Sequence, residues 1–155
     1  DLSFVNRVDS MDSDADVVVV FGGTNDFGHG DAKLSTFESR DPYTFYGAMH
    51  VLCEKLINRF PNADILFMTP LHRCSEDEVS KENGLPEETN LAGYVSIIRE
   101  VAEFYGLPVL DLFSTSGLQP KVDIIKETYM PDGLHPSDAG ALRIALRLMG
   151  FLQTL

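Results

Sequence analysis

Five consecutive apolar residues, Val17-Val18-Val19-Val20-Phe21, stand between Asp16 and the pair Gly22-Gly23. A short β-branched run closed by glycines has the composition of a strand buried on both faces, and such strands belong to parallel sheets. Parallel strands cannot be joined by hairpins; they need long right-handed crossovers, usually helices. The rest of the chain supplies them. Phe4, Val5, Val8 and Met11 have helical spacing ahead of the strand. Behind it, Asp41-Pro42 offers a cap and a first-turn proline to a helix carrying Phe45, Met49, Leu52, Cys53, Leu56, Ile57 and Phe60, which stops at Pro61. A second strand is expected over 65–68. The next helix carries Leu91, Tyr94, Val95, Ile98, Val101, Ala102 and Tyr105 and is ended by Gly106 and Pro108. A third strand is expected over 109–112, and a last helix over 137–152 with Leu142, Ala145, Leu146, Met149 and Leu152 on its apolar side. Strands alternating with helices predict a single α/β domain with a mainly parallel sheet. Because the Val17 strand is apolar throughout, it reads as central, so a further strand outside this sequence is expected beside it.

The charge balance narrows the partners. Twelve Lys and Arg against 24 Asp and Glu give a net charge of −12 over 155 residues. Nucleic acids and anionic membrane surfaces draw their affinity from clustered basic residues, and this chain has no such cluster. No apolar run approaches the ~20 residues that a bilayer span requires. Two cysteines, Cys53 and Cys74, are too few for a disulfide framework and lack zinc-site spacing, so neither a redox compartment nor a metal is implied. The first residue is Asp, within or just before a helical pattern, and the sequence reads as a fragment or a processed product.

Helix-to-strand connections are short, whereas strand-to-helix connections are long: about 22–41, 69–90 and 113–136. All three leave the carboxyl ends of strands, the edge at which open α/β sheets bind ligands. The first contains Gly22-Gly23-Thr24-Asn25-Asp26-Phe27-Gly28-His29-Gly30. Its glycines permit tight turns and close approach, and the Asn25 amide is a donor suited to a developing oxyanion. Local Asx bonding by Asn25 and Asp26 is the plainer alternative. The phosphate-loop patterns G-x-x-x-x-G-K-[ST] and G-x-G-x-x-G are absent, which weakens a nucleotide-binding reading. The third loop ends Met130-Pro131-Asp132-Gly133-Leu134-His135-Pro136-Ser137. A carboxylate three residues before an imidazole can reach Nδ1, fix the tautomer and stabilise the imidazolium formed when Nε2 takes a proton. A capped turn followed by a surface histidine is the alternative.

Taken together, Gly23-Thr24-Asn25-Asp26 after a strand and Asp132-Gly133-Leu134-His135-Pro136 before the last helix resemble two signature blocks of the SGNH hydrolases, also called GDSL lipases or esterases. The resemblance extends over essentially the whole chain. It implies a three-layer α/β/α flavodoxin-like fold, with Asn25 as oxyanion donor, His135 as general base, Asp132 as its orienter and Asp26 as a partner within the loop. The family's nucleophilic serine lies in a Gly-Asp-Ser block after its first strand, and its second oxyanion donor is a glycine after its second. No Gly-Asp-Ser occurs in these 155 residues, and Ser3, Ser10 and Ser13 lack a strand-then-turn setting. The chain therefore reads as the C-terminal two-thirds of a single SGNH hydrolase domain, its N-terminal strands and nucleophile missing.

The implied activity is ester hydrolysis of a small-molecule substrate with no cofactor and no metal, the isolated chain being inactive. The alternative is a non-catalytic binding domain on the same scaffold. The exposed sheet edge is expected to pair with the missing N-terminal segment or another chain. Gly23, His29 and Arg73 are further candidates for substrate contact. The segment Leu71-His72-Arg73-Cys74-Ser75-Glu76-Asp77-Glu78 invites a metal or redox reading, but it lacks CxxC and its acids read as a solvated loop, which could serve as a lid. Cys53 is expected in the core and His50 in a structural role.

Overall fold

A computed structural model describes residues 4–29, 33–77 and 89–155; Ser3, Gly30, Glu78 and most of the proposed lid lie outside these. The chain opens with a short helix α1, Phe4–Arg7, continued by a 3₁₀ turn, Val8–Ser10. Strand β1, Val17–Phe21, leads into a one-and-a-half-turn helix α2, Thr24–His29, and then α3, Phe45–Arg59. Strand β2, Asp64–Met68, is followed by α4, Leu91–Phe104, and strand β3 is only Val109–Leu110. Helices α5, Leu112–Thr115, α6, Asp123–Tyr129, and α7, Asp138–Leu152, complete the chain.

All pairings are parallel, in the order β1-β2-β3. Val17 faces Asp64 and Phe21 faces Met68, while Phe67 and Met68 face Val109 and Leu110. Alternation then sorts the side chains between two layers. On one side Val18, Ile65 and Phe67 pack with Phe45, Leu52, Leu56, Tyr94, Ile98 and Val101 of α3 and α4. On the other, Leu66, Met68 and Leu110 join Leu112, Leu118 and Met130, with Ile144, Leu148 and Phe151 of α7 against them. The α/β/α arrangement expected from the sequence is therefore present. Among the described residues, no helix is long and apolar enough to cross a membrane.

Several local expectations are corrected. The α3 cap is Thr44, whose hydroxyl accepts the Gly47 N–H at 3.2 Å, not Asp41. The third strand stops at Leu110 because Asp111 captures the Ser114 N–H at 3.2 Å and starts α5. The long loops are also partly helical, through α2, α5 and α6. Asn90 and Ser137 cap α4 and α7, each accepting a glycine N–H three residues on.

The most consequential feature concerns β1. The sequence reads it as apolar on both faces with a neighbouring strand outside this sequence, and β1 pairs with β2 alone among the described residues, leaving Val17, Val19 and Phe21 exposed. These three lie on the same sheet face as Leu66 and Met68, because residues in parallel register share a face. On α7, at i, i+4 and i+7, Leu142, Leu146 and Met149 are exposed as well. An apolar strand edge and an apolar helix stripe are thus left uncovered on one side of the molecule.

His50, fully buried in α3, is a structural residue as expected. Its Nδ1 lies 3.0 Å from the Tyr105 hydroxyl, which in turn donates to Glu54 at 2.8 Å. Since the phenol proton is committed to Glu54, Nδ1 carries the hydrogen donated to Tyr105. The rings of Phe37 and Phe104 close the site, at 4.8 Å and 5.7 Å. Burial first, and the Arg40 charge second, lower the His50 pKa from its usual value. A histidine whose folded pKa lies below its unfolded one contributes stability above about pH 6.5, lost as pH falls through the folded value. Melting temperatures taken from pH 7.5 to pH 5 should therefore fall more steeply for the native chain than for His50→Leu; parallel curves would contradict this account.

Candidate active site

Gly23 makes the first turn of the site possible. Its φ is +101°, and an added Cβ would stand 3.1 Å from Ile98 Cδ1 and 3.3 Å from Pro70 Cγ. Only glycine meets both demands without strain. The Gly23 carbonyl accepts the Phe27 N–H at 3.2 Å and opens α2, whose buried Phe27 packs edge-on against Tyr94 at 5.8 Å. With Phe27 turned inward, Asn25 is left exposed on the first turn, at the carboxyl end of β1. Its side-chain amide makes no hydrogen bond to any described residue. A cavity of about 630 Å³ lies beside it, bounded by residues 22–26 on one flank and by Met49, Leu52, Phe67 and Ile98 deeper in. His29, at the far end of α2, is exposed.

The second half of the site is built around one carboxylate. Asp132 Oδ1 accepts the N–H groups of Leu134 at 2.9 Å and His135 at 2.7 Å, which curls the loop back on itself. Its Oδ2 meets His135 Nδ1 at 2.7 Å. Hydrogen bonds from the His135 ring and from the two main-chain N–H groups hold the Asp132 pKa well below the usual carboxylate range. An ionised Asp132 keeps the hydrogen on Nδ1 and leaves Nε2 as the basic nitrogen. The pair lies open to solvent, with side-chain exposures of 75% for His135 and 55% for Asp132. His135 does not line the cavity beside Asn25.

The segment after β2 bridges the two halves. Arg73 Nη1 donates to the Thr24 carbonyl at 3.3 Å, and its guanidinium lies 5.3 Å from the Phe27 ring centre. The next residue, Cys74, donates its N–H to the Gly133 carbonyl at 2.9 Å. Gly133 has φ +77°, and an added Cβ would fall 2.5 Å from Cys74 Sγ, so the Asp132 loop and the 71–77 segment are in close contact. Asn25 is thus one residue from an Arg73 contact, and Asp132 and His135 straddle a Cys74 contact.

The reading of the 71–78 acids as solvated is corrected at Glu76, which is 6% exposed. Oε2 accepts from His72 Nδ1 at 2.7 Å and from the Arg73 N–H at 3.1 Å, and Oε1 accepts from Gln119 at 3.0 Å and Lys121 at 2.9 Å. Burial works to raise the Glu76 pKa, but these donors outweigh it and bring it to about 2. No periodicity pointed to Glu76, because its donors 119 and 121 are distant in sequence; only the His72–Glu76 spacing of four carried any signal. Among the described residues, no group of three His, Cys, Asp or Glu side chains could hold a metal ion.

Comparison with known proteins bears on what this site belongs to. The model of the GDSL-like lipase/acylhydrolase family matches residues 2–143. One crystal structure is similar at 40% identity with a TM-score of 0.86, over 99% of this chain and 71% of that chain. A protein from Lactobacillus plantarum is similar at 31% identity, also with a TM-score of 0.86, over 99% of this chain and 74% of that one. A lipase/acylhydrolase from Enterococcus faecalis, at 22% identity and a TM-score of 0.57, shares the fold over 90% of this chain and 62% of its own. Comparison with curated proteins gives no match.

Two outcomes follow from the geometry. In Asp132→Asn the side-chain amide would donate to Nδ1 and move the ring hydrogen to Nε2, so nitrogen NMR of neutral His135 should report the opposite tautomer from the native chain. The low pKa of Glu76 contributes stability above about pH 4.5, lost as pH falls toward 2, on the order of 3 kcal/mol. Acid titration of Glu76→Gln should therefore show a smaller loss over that window than the native chain.

Proposed function

The chain belongs to the GDSL-like lipase/acylhydrolase family, and on that footing we propose that it forms the base-and-oxyanion part of a serine esterase whose nucleophile lies in an upstream segment. The serine Oγ attacks the ester carbonyl while His135 Nε2 takes its proton. Asp132 holds the imidazolium, and the Asn25 amide donates to the oxyanion. His135 returns the proton to the leaving alcohol, and the acyl-enzyme remains. Water activated by the same histidine then releases the acid. No metal or organic cofactor enters any step, and the substrate is a small ester.

The observation that carries this reading is the 2.7 Å contact between Asp132 Oδ2 and His135 Nδ1, which leaves Nε2 unencumbered on the loop tied to α2 through Arg73 and Cys74. The uncovered apolar faces support the upstream segment. A strand pairing along β1 would occupy the open edge beside Val17, Val19 and Phe21, and a helix following it would cover Leu142, Leu146 and Met149. The structures similar at 31–40% identity extend beyond this chain, which spans 71–74% of their length. We read residues 1–155 accordingly as one domain, incomplete at its N-terminus. Gly23, His29 and Arg73 border the proposed site, Gly23 and Arg73 as supports and His29 as an exposed side chain available to substrate.

Fluorophosphonate labelling with intact-mass analysis tests the proposal. The 155-residue chain should remain unlabelled, and the same chain extended upstream through a Gly-Asp-Ser block should take one label, lost in His135→Ala. Asn25→Ala in the extended protein should lower kcat by roughly 10²–10³, the usual cost of one oxyanion donor. A label on the short chain would refute the missing nucleophile. An upstream coding sequence without Gly-Asp-Ser would favour the non-catalytic binding domain.

A further inference from the structure

We propose that Glu76 is a positioning residue for the hydrolytic site: its buried carboxylate fixes the turn from which Arg73 and Cys74 hold the Asn25 helix and the His135 loop at a set separation. The inference rests on the assignment of Asn25, Asp132 and His135 given above, but concerns a residue that touches none of the reacting atoms.

The argument begins with donors and acceptors. A carboxylate is acceptor-only, and each group facing Glu76 is a donor: His72 Nδ1 and the Arg73 N–H on one oxygen, Gln119 Nε2 and Lys121 Nζ on the other. Main-chain bonds tighten the same turn, from the Glu76 N–H to the Arg73 carbonyl at 3.3 Å and from the Leu91 N–H to the Glu76 carbonyl at 3.0 Å. The Glu76 side chain thereby joins the segment after β2 to residues 119–121 of the third loop, and its main-chain carbonyl adds the start of α4. The His72 ring is further confined against Phe113, with ring centres 3.9 Å apart.

What this turn presents outward matters for the site. Arg73 donates from Nη1 to the Thr24 carbonyl at 3.3 Å and stands 3.4 Å from its hydroxyl, while Nε donates to Ser75 at 3.2 Å. Cys74 takes the Gly133 carbonyl on its N–H at 2.9 Å. Adjacent residues of one rigid turn therefore grip the neighbour of Asn25 and the midpoint of the Asp132 to His135 loop. Both stretches are thereby anchored to the same turn, so a shift of the turn moves oxyanion donor and base relative to each other. Misplacement of a reacting group by about 1 Å can cost on the order of 10² in rate. Gln at position 76 brings an NH₂ group against donors on whichever side it faces, and so releases one end of the grip without a change of size.

The test uses backbone amide spectra of the 155-residue chain. Glu76→Gln should shift the amides of residues 24–28 and of residues 133–135 together. Arg73→Lys, which loses the planar fork but keeps the charge, should shift 24–28 only. Asp77→Asn, at the exposed neighbour that also binds Lys121, should shift neither stretch. Should Glu76→Gln fail to fold, Gln119→Leu removes one donor from the same carboxylate and should move both stretches by smaller amounts. Shifts confined to 72–77, 91 and 119–121 in a folded variant would overturn the proposal.

A second measurement reads the reaction itself. In the upstream-extended protein, Glu76→Gln should lower kcat about tenfold or more with KM nearly unchanged. An unchanged kcat would also overturn the positioning role. If the extended protein takes no fluorophosphonate label, the hydrolase assignment fails by itself, and the amide shifts still decide whether Glu76 couples the two loops.

Discussion

Parallel pairing of β1 with β2, in register from Val17 against Asp64 to Phe21 against Met68, is the constraint from which the rest of the molecule follows. It places the exits of both strands at one rim, and β3 adds a third exit through Met68 against Leu110. Since each strand must be regained by a crossover helix, the amino ends receive short connections and the carboxyl ends are free to carry long ones. The Arg73 side chain can reach Thr24 because both residues leave the sheet at the same level on neighbouring strands. Antiparallel pairing would have sent these loops to opposite ends, and no side chain could have spanned them.

The sequence made the layers legible chiefly through apolar spacing, as in Leu91, Tyr94, Val95, Ile98, Val101 and Ala102 of α4, all of them buried. The structure adds the caps Asn90 and Ser137, each accepting a glycine N–H in the first unpaired turn. Asp41-Pro42 misled for a physical reason: Thr44 directly precedes the first buried apolar residue, Phe45, and its hydroxyl reaches Gly47. Helices α2, α5 and α6 were hidden because seven residues or fewer hold too little periodicity to distinguish from loop. The Asp132 to His135 contact was foreseeable, since a spacing of three in a turn brings the groups together with no help from the rest of the chain. Glu76 was not foreseeable, because its burial depends on where the third loop crosses the second.

Two histidine–carboxylate pairs at this rim, each at 2.7 Å, show how burial changes what the same contact does. In the His72–Glu76 pair the carboxylate is shielded and its other lone pairs are taken by Arg73, Gln119 and Lys121, so the pair is locked as a structural node. Removing one partner from such a node leaves a buried group unsatisfied, which is costly, whereas the intact network chiefly defines one arrangement. In the His135–Asp132 pair the carboxylate spends its remaining capacity on two N–H groups of its own turn, and the imidazole stands in solvent. For the base proposed at His135, which must exchange protons and turn over, openness suits chemistry, while rigidity at Glu76 suits the support proposed for it.

The solvent exposure of His135 and Asp132 also connects the site to the uncovered sheet edge. Proton transfer from a serine is most effective where water is excluded and the dipoles around the reacting atoms are fixed. Here the turn at 72–76 touches both the Thr24 end and the Gly133 end of the proposed site. Val17, Val19 and Phe21 lead along β1 to the same rim, ending one residue before Gly22. On the proposed reading, a strand added along that edge would run toward the rim that carries α2, and the residue after it would supply the nucleophile. One added element would thus cover apolar surface and wall the site at once. The stability of the edge and the chemistry of the rim are therefore linked, because the hydrophobic burial that would seat the strand is also what would fix its last residue against the base.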